Sequence, residues 1–398
     1  MAQTLEVSPG SSAHLSGRHP STRGVSPERP PDARHADSVP CMTAPGEKSA
    51  RTPRWHAALV AEELPPSSGP VAALVNADGR TWAWIPDSGR LRPLPRIGSP
   101  SDTAIAVAEP GGHAVLTEAE ALRSDAAIPM LERRYCEGIY RIDLRDLKPA
   151  RLAFEPRGGW EWRHELATSP DATVVVVAEQ WRPDEFYAVS DQFGPDRFLD
   201  RQRATANIPV HVTLHLVDTS RDASRSVLTA RASMPKSSDD RPIQWAPDGS
   251  LIAVSLMSKA PGVPTTLILD PTTGDIRHTI EGAQLLGSLA WHRYGDRLLL
   301  DRQGRIVEHR LSHGEERPLP PLPGAGSSTR RPTPPGSGSH RVLGYAEEEH
   351  LLSVTHRGSV MTLCSISPTS AEVQPLARWA GSTDMYPYMT AMPPEFWS

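Results

Sequence analysis

The chain has 398 residues, of which 41 are proline and 29 glycine, with 38% hydrophobic content and a formal net charge of -5. The length allows one large repeat domain or two ordinary ones, and the Pro and Gly content implies many turns. The mild negative charge argues against a general binder of nucleic acid or anionic membranes.

Residues 1–53 are rich in Ser, Pro, Arg and His and lack apolar periodicity. Such a segment cannot bury enough surface to offset its ordering entropy, so disorder is expected. Met42 opens MTAPGEKSARTPRW and reads as the natural start, with everything before it resembling translated upstream DNA. Lys48, Lys148, Lys236 and Lys259 are the only lysines, and this arginine-dominated, Ala-, Pro- and Gly-rich usage reads as the codon bias of a GC-rich genome. No apolar h-region and no run of about 20 apolar residues occurs, which predicts neither secretion nor a membrane-spanning helix. Cys41, Cys136 and Cys364 are far apart and without metal-knuckle spacing, as expected of free thiols in a reducing, cytoplasmic compartment.

From Trp55 onward short strands alternate with turn residues, the pattern of an all-β repeat fold. Outer hairpins are predicted at 81–94, 139–154, 211–230, 265–280, 305–320 and 360–377. Each follows an inner strand pair: WHAALVAEE with VAALVN, TAIAVAE with HAVLTE, RHELATSPD with TVVVVAEQ, IQWAPD with LIAVSLM, LGSLAWHRYG with RLLLD, and VLGYAEEE with LLSVTH. Strands are lettered a to d within each cycle. Six cycles of four strands predict a six-bladed β-propeller over residues 54–380, followed by a tail at 381–398 that packs on or closes it. The count leaves open a seventh blade in that tail, or a closing strand drawn from residues 42–54.

The segment Trp245-Ala-Pro247-Asp248-Gly249-Ser-Leu-Ile-Ala-Val254 resembles the repeat of WD40-like, TolB-type propellers. Ser169-Pro170-Asp171 keeps part of it, and Trp291-His-Arg-Tyr-Gly295-Asp296 keeps the Trp and the turn. The resemblance implies a propeller and a binding role rather than a reaction. Pro247 sets φ at the turn, Asp248 bonds its own backbone and Gly249 supplies a positive φ. Trp245 is expected to wedge between neighbouring blades.

Three connections are long: 119–138, 181–209 and 320–340. All are b–c or d–a loops, which leave a propeller on one face. The first, EAEALRSDAAIPMLERRY, is predicted to hold a short helix ending at Pro129. The third contains PLPPLP and reads as a flexible or polyproline linker. The second collects Trp181, Arg182, Phe186, Tyr187, Phe193, Arg197, Phe198 and Arg201, the aromatic and arginine types that dominate interface hot spots. These eight are the candidate partner-binding residues, set against a lid packed on its own propeller.

No GxSxG elbow, Walker loop, HExxH, EF-hand loop or GxGxxG fingerprint occurs, and no cofactor or metal is expected. His211 and His215 on one strand would stand about 13 Å apart, too far to share a metal. Asn76–Trp82 is similar to a sialidase Asp-box but one residue short, and is expected to be a hairpin turn. The leading reading is a non-catalytic, monomeric scaffold binding a protein or peptide. The alternative is a propeller-type hydrolase or lyase using His164, Glu165, His292 or Asp296 at the channel mouth.

Overall fold

The computed structural model describes most of residues 132–320 and 340–380. Outside these it describes the strands Val7–Pro9, Ala73–Ala77, Arg80–Ile85, Arg90–Pro93, Ala106–Ala108, Ala114–Ser124 and Tyr386–Met389. The expectations for residues 10–72, the loop 321–339 and the tail beyond Met389 lie outside the described residues.

The described strands form six antiparallel sheets, five of four strands and one of five. The strands follow one another in chain order from an inner to an outer edge, except that the first sheet takes its inner strand from the far end of the chain and the third carries an extra outer strand from the beginning of it. Neighbouring sheets touch in chain order: Ala73–Ala77 lies against Ala106–Ala108, that strand against Arg163–Thr168, and that one against Ile243–Trp245. Gln284–Leu285 then packs on the fourth sheet, and Leu289 bridges in parallel to Gly344 of the sixth. Sheets stacked radially in this way make a β-propeller.

Burial explains the order of strands. The b strands Val174–Trp181 and Ile252–Met257 are buried along nearly their whole length, because both faces meet a neighbouring sheet. The d strand Ile276–Glu281 is mostly exposed at the periphery, and Ala223–Ala230 is exposed over its first half. One apolar cluster joins the third and fourth sheets through Val176, Leu214, Val254 and Leu267; another joins the fourth to the fifth and sixth through Ala253, Leu299 and Leu351.

The motif residues serve as the sequence suggests. Gly249 N–H donates to Ala246 O at 2.9 Å, closing the turn, and Gly249 has φ +73°. Asp248 Oδ1 accepts from Ser250 N at 3.0 Å. Trp245 Nε1 donates to Ala167 O at 3.2 Å, and Trp291 Nε1 donates to Gln244 O at the same distance. Each Trp thus reaches back to the inner strand of the preceding sheet and ties the two together.

Four findings differ from the sequence expectations. The inner strand of the fifth sheet is Gln284–Leu285, ahead of LGSLAWHRYG, within which only the isolated bridges of Leu289 and Trp291 form. Residues 119–124 are strand, not helix: Ala114–Ser124 pairs with Glu132–Asp143 out to Ser124–Glu132, across a bulge at Ala119/Glu120. Sheet pairing there outweighs the helix preference of Glu-Ala-Glu-Ala-Leu. The strand beside Ala73–Ala77 is Tyr386–Met389, from the far end of the chain, in the position expected for WHAALVAEE. Val7–Pro9, within the region expected to be disordered, pairs as a fifth strand on the outer edge of the third sheet. The strands flanking Asp78-Gly79 pair directly, Ala77 opposite Arg80, as a hairpin turn requires.

Candidate interaction site on the third sheet

The insertion after Trp181 folds into two short helices, α1 (Asp184–Ser190) and α2 (Phe198–Thr205), which pack on each other. Asp184 and Glu185 lie in the first turn of α1, where the helix dipole favours negative charge. Arg182 fastens the base: its Nη1 donates to Ile208 O at 3.2 Å, joining the two ends of the insertion. Its guanidinium also lies 4.6 Å from the Phe186 ring centre. Phe186 is buried, with Tyr187 edge-on to it at 5.4 Å. Phe186, expected as a partner contact, is buried in this structure between neighbours of its own insertion.

The tip is different. Phe198 is 54% exposed and its neighbour Leu199 63%. Arg201 lies 5.3 Å from the Phe198 ring, and Arg197 lies 5.3 Å from Phe193 while donating to Asp200 at 3.0 Å. The eight predicted residues thus divide into a root (Trp181, Arg182, Phe186, Tyr187) and a tip (Phe193, Arg197, Phe198, Arg201). Leu199 was not singled out by the sequence, although a second apolar residue beside Phe198 was the available signal.

Beneath the insertion is a polar cluster that the sequence did not disclose. Trp181 stacks on His211 with ring centres 4.7 Å apart, and its Nε1 donates to Thr213 Oγ1 at 3.0 Å. Arg157 lies 4.3 Å from the same indole. Glu179, on the same strand face, is fully buried. Its Oε1 accepts from Arg157 N at 2.6 Å and faces His164 Nε2 at 3.5 Å; its Oε2 faces His215 Nε2 at 3.4 Å and Arg157 Nε at 3.3 Å. Phe154 closes the cluster edge-on against both imidazoles. Burial is the largest influence on the Glu179 carboxyl and pushes it up, but His164, His215 and the Arg157 amide together outweigh it and hold it at about 2. Burial, then the positive charge of Arg231 and Arg157, holds His211 below the usual imidazole range.

His211 and His215 are four residues apart on one strand and turn to different partners, Trp181 and Glu179. The residues named for an enzyme fall in two pairs, each engaged with partners of its own. His164 and Glu165 belong to the third sheet, His292 and Asp296 to the fifth. Glu165 binds Arg163 at 2.6 Å and Arg241 at 3.5 Å. His292 meets Asp296 at 3.2 Å and Arg297 at 2.9 Å. Arg297 also meets Glu308, which accepts from the Tyr345 hydroxyl at 2.8 Å. Burial, reinforced by Glu308, pushes the Tyr345 hydroxyl far above its ordinary range.

The sheets define a β-propeller, and among the described residues its most elaborated part is the third-sheet insertion. Known structures include similar folds. TolB from Acinetobacter baumannii is 12% identical, with 85% of this chain and 70% of that chain covered and a TM-score of 0.41. A chain of the nidogen/laminin complex is 8% identical, with 81% and 100% covered and a TM-score of 0.43. Oligogalacturonate lyase in complex with manganese is 12% identical, with 80% and 84% covered and a TM-score of 0.31. No protein-family model matches the chain. No curated protein sequence matches it either.

Proposed function

We propose that the chain is a six-bladed propeller, closed by pairing Tyr386–Met389 with Ala73–Ala77, that binds a protein or peptide through the rim carrying the third-blade insertion. The observation that carries this reading is the exposed Phe198–Leu199 pair on an otherwise anchored insertion. An aromatic and an aliphatic side chain held out on a pinned helix lose little entropy on binding, and burying each contributes about 1.5–3 kcal/mol. Arginines beside the rings supply directional polar contacts at the edge of the same patch. Domain limits of 54–380 for the propeller and 381–398 for the closing tail, a monomeric state and a cytoplasmic location belong to the same reading.

Deleting residues 182–207 tests it. The variant should keep the far-UV signature of the propeller and lose a partner recovered with the intact chain. A partner that stays bound to the deletion variant would place the interface elsewhere.

A further inference from the structure

The third and fourth sheets also enclose a cavity of about 560 Å³ at the opposite end of their strands from the insertion. Val174 lines it, whereas Trp181 at the other end of the same strand supports the insertion, about 23 Å away by the rise of a strand. We infer that this cavity binds an arginine or lysine side chain presented by an extended segment of another protein.

The floor is apolar: Val174, Leu216 and Trp245, flanked by Pro170 and Pro271. Trp245 commits its indole N–H to Ala167 O, as Trp291 does to Gln244 O one sheet later. Trp291 is only 6% exposed, however, while Trp245 is half-buried and borders the cavity. An indole face beside open space is the preferred seat of a guanidinium or ammonium group. The aliphatic stem of such a side chain suits the proline and leucine walls.

Charge selects the same ligand. Asp171, Asp218 and Asp248 stand on the rim. Each uses Oδ1 to hold its own turn, through Thr173, Ser220 and Ser250 respectively. Asp218 Oδ2 faces Arg221 Nε at 3.9 Å, and that arginine side chain is 83% exposed. The other rim cation, Arg225, spends Nη2 on the carbonyls of Pro271 and Thr272. Three carboxylates against these two cations leave the rim negative, so an anion would be repelled. A wholly apolar ligand would strip water from the carboxylates without compensation. Outside the cavity lining, the neighbouring turn presents Tyr294, 67% exposed, with the Arg293 guanidinium 4.6 Å from its ring; the adjoining Gly295 approaches Asp248 closely enough that an added Cβ would lie 3.8 Å from Oδ1.

The test uses the full chain and fluorescein-labelled hexapeptides of Gly and Ser carrying one central Arg or, as control, one Glu. Anisotropy titrations at low salt should show the Arg peptide binding at least about tenfold more tightly than the Glu peptide. Asp248→Asn keeps the Oδ1 acceptor and the turn while removing the charge, and should weaken the Arg peptide about fivefold. Deleting 182–207 should leave it unchanged, which separates this site from the insertion. Equal binding of the two peptides, binding of neither, or an Asp248→Asn variant indistinguishable from the parent would overturn the inference.

Discussion

The third and fourth sheets share one pattern but fill it differently. Their inner turns superpose in sequence, Ser169-Pro170-Asp171 on Ala246-Pro247-Asp248, and Ser169 N bonds Val174 O as Ala246 N bonds Leu251 O. Carried along the strands, this register places Glu179 where the fourth sheet has Leu256. The pairings His215 with Val177 and Leu267 with Val254 then place His215 where it has Leu267. Glu179 and Leu256 are both fully buried. The fourth sheet therefore holds a leucine pair where the third holds a carboxylate–imidazole pair. A buried polar pair commonly contributes no more stability than the leucines that could replace it. The polar version occurs in the sheet whose b strand leads directly into the insertion, so it is best read as a device that fixes Trp181 and Arg157 at the root of that insertion.

The largest effects should come from breaking either filling. Glu179→Ala leaves the Arg157 amide without its acceptor, and the buried His164 and partly buried His215 without the carboxylate they face, and should cost about 3–5 kcal/mol in a urea melt. Leu256→Ala should cost about 2–5 kcal/mol by opening a cavity. The two should part with pH. The Glu179 carboxyl titrates at about 2 in the folded chain and near 4.5 when released. Because the folded value is the lower, its contribution is whole above pH 4.5 and is lost as pH falls towards 2. The stability gap between the parent and Glu179→Gln should therefore shrink by about 3 kcal/mol over that range, at about 1.4 kcal/mol per unit. The Leu256→Ala gap should stay nearly constant, and a gap that moves equally in both variants would remove the assigned role of the carboxylate.

Next in size is the insertion, which has no counterpart between Met257 and Pro264 of the fourth sheet. Replacing both Phe198 and Leu199 with serine should weaken partner capture by at least about tenfold, since each buried side chain is worth about 1.5–3 kcal/mol at an interface. The same double substitution should shift folding stability by only about 0.5 kcal/mol, as exposed positions do. Equal losses of stability and binding would mean that the tip packs on its own propeller.

What could be read from the sequence follows the range of the interactions. The Pro-Asp-Gly turn and the alternating strands around it are local, and the strands from Arg163 to Leu269 fall where their patterns suggest, whereas the inner strand of the fifth sheet lies at Gln284–Leu285, just ahead of LGSLAWHRYG. The pairing of Tyr386–Met389 with Ala73–Ala77 joins distant parts of the chain and has no local signature. The strand at 119–124 was hidden because its composition favours helix and only its partner at 132–136 decides otherwise. At the site, the composition of the insertion was legible but its division was not: nothing in the order of residues says that Phe186 turns inward and Phe198 outward. The Glu179 cluster was missed because Glu-Gln at the end of a valine run looks like a solvated strand end. It is the neighbouring sheet, through Phe154 and Arg157, that buries it.

The smallest effect isolates a single backbone angle shared by the two sheets. Gly249 follows Asp248 with φ +73°, and Ala172 follows Asp171 with φ +58° in the corresponding turn. An alanine in the left-handed region is strained by about 1–2 kcal/mol, which glycine escapes at the expense of greater freedom in the unfolded chain. Gly249→Ala should therefore destabilise by about 1 kcal/mol, and Ala172→Gly should stabilise by about 0.5 kcal/mol. The surroundings permit the comparison, since a Cβ on Gly249 would meet Pro170 Cδ at an ordinary 3.6 Å. Thermal melts of the two single variants and the double exchange would measure it. Opposite shifts that nearly cancel in the exchange would show that the third and fourth turns are built alike. Shifts of the same sign would show that the cavity between them, which both turns border, imposes its own demand on one of the two.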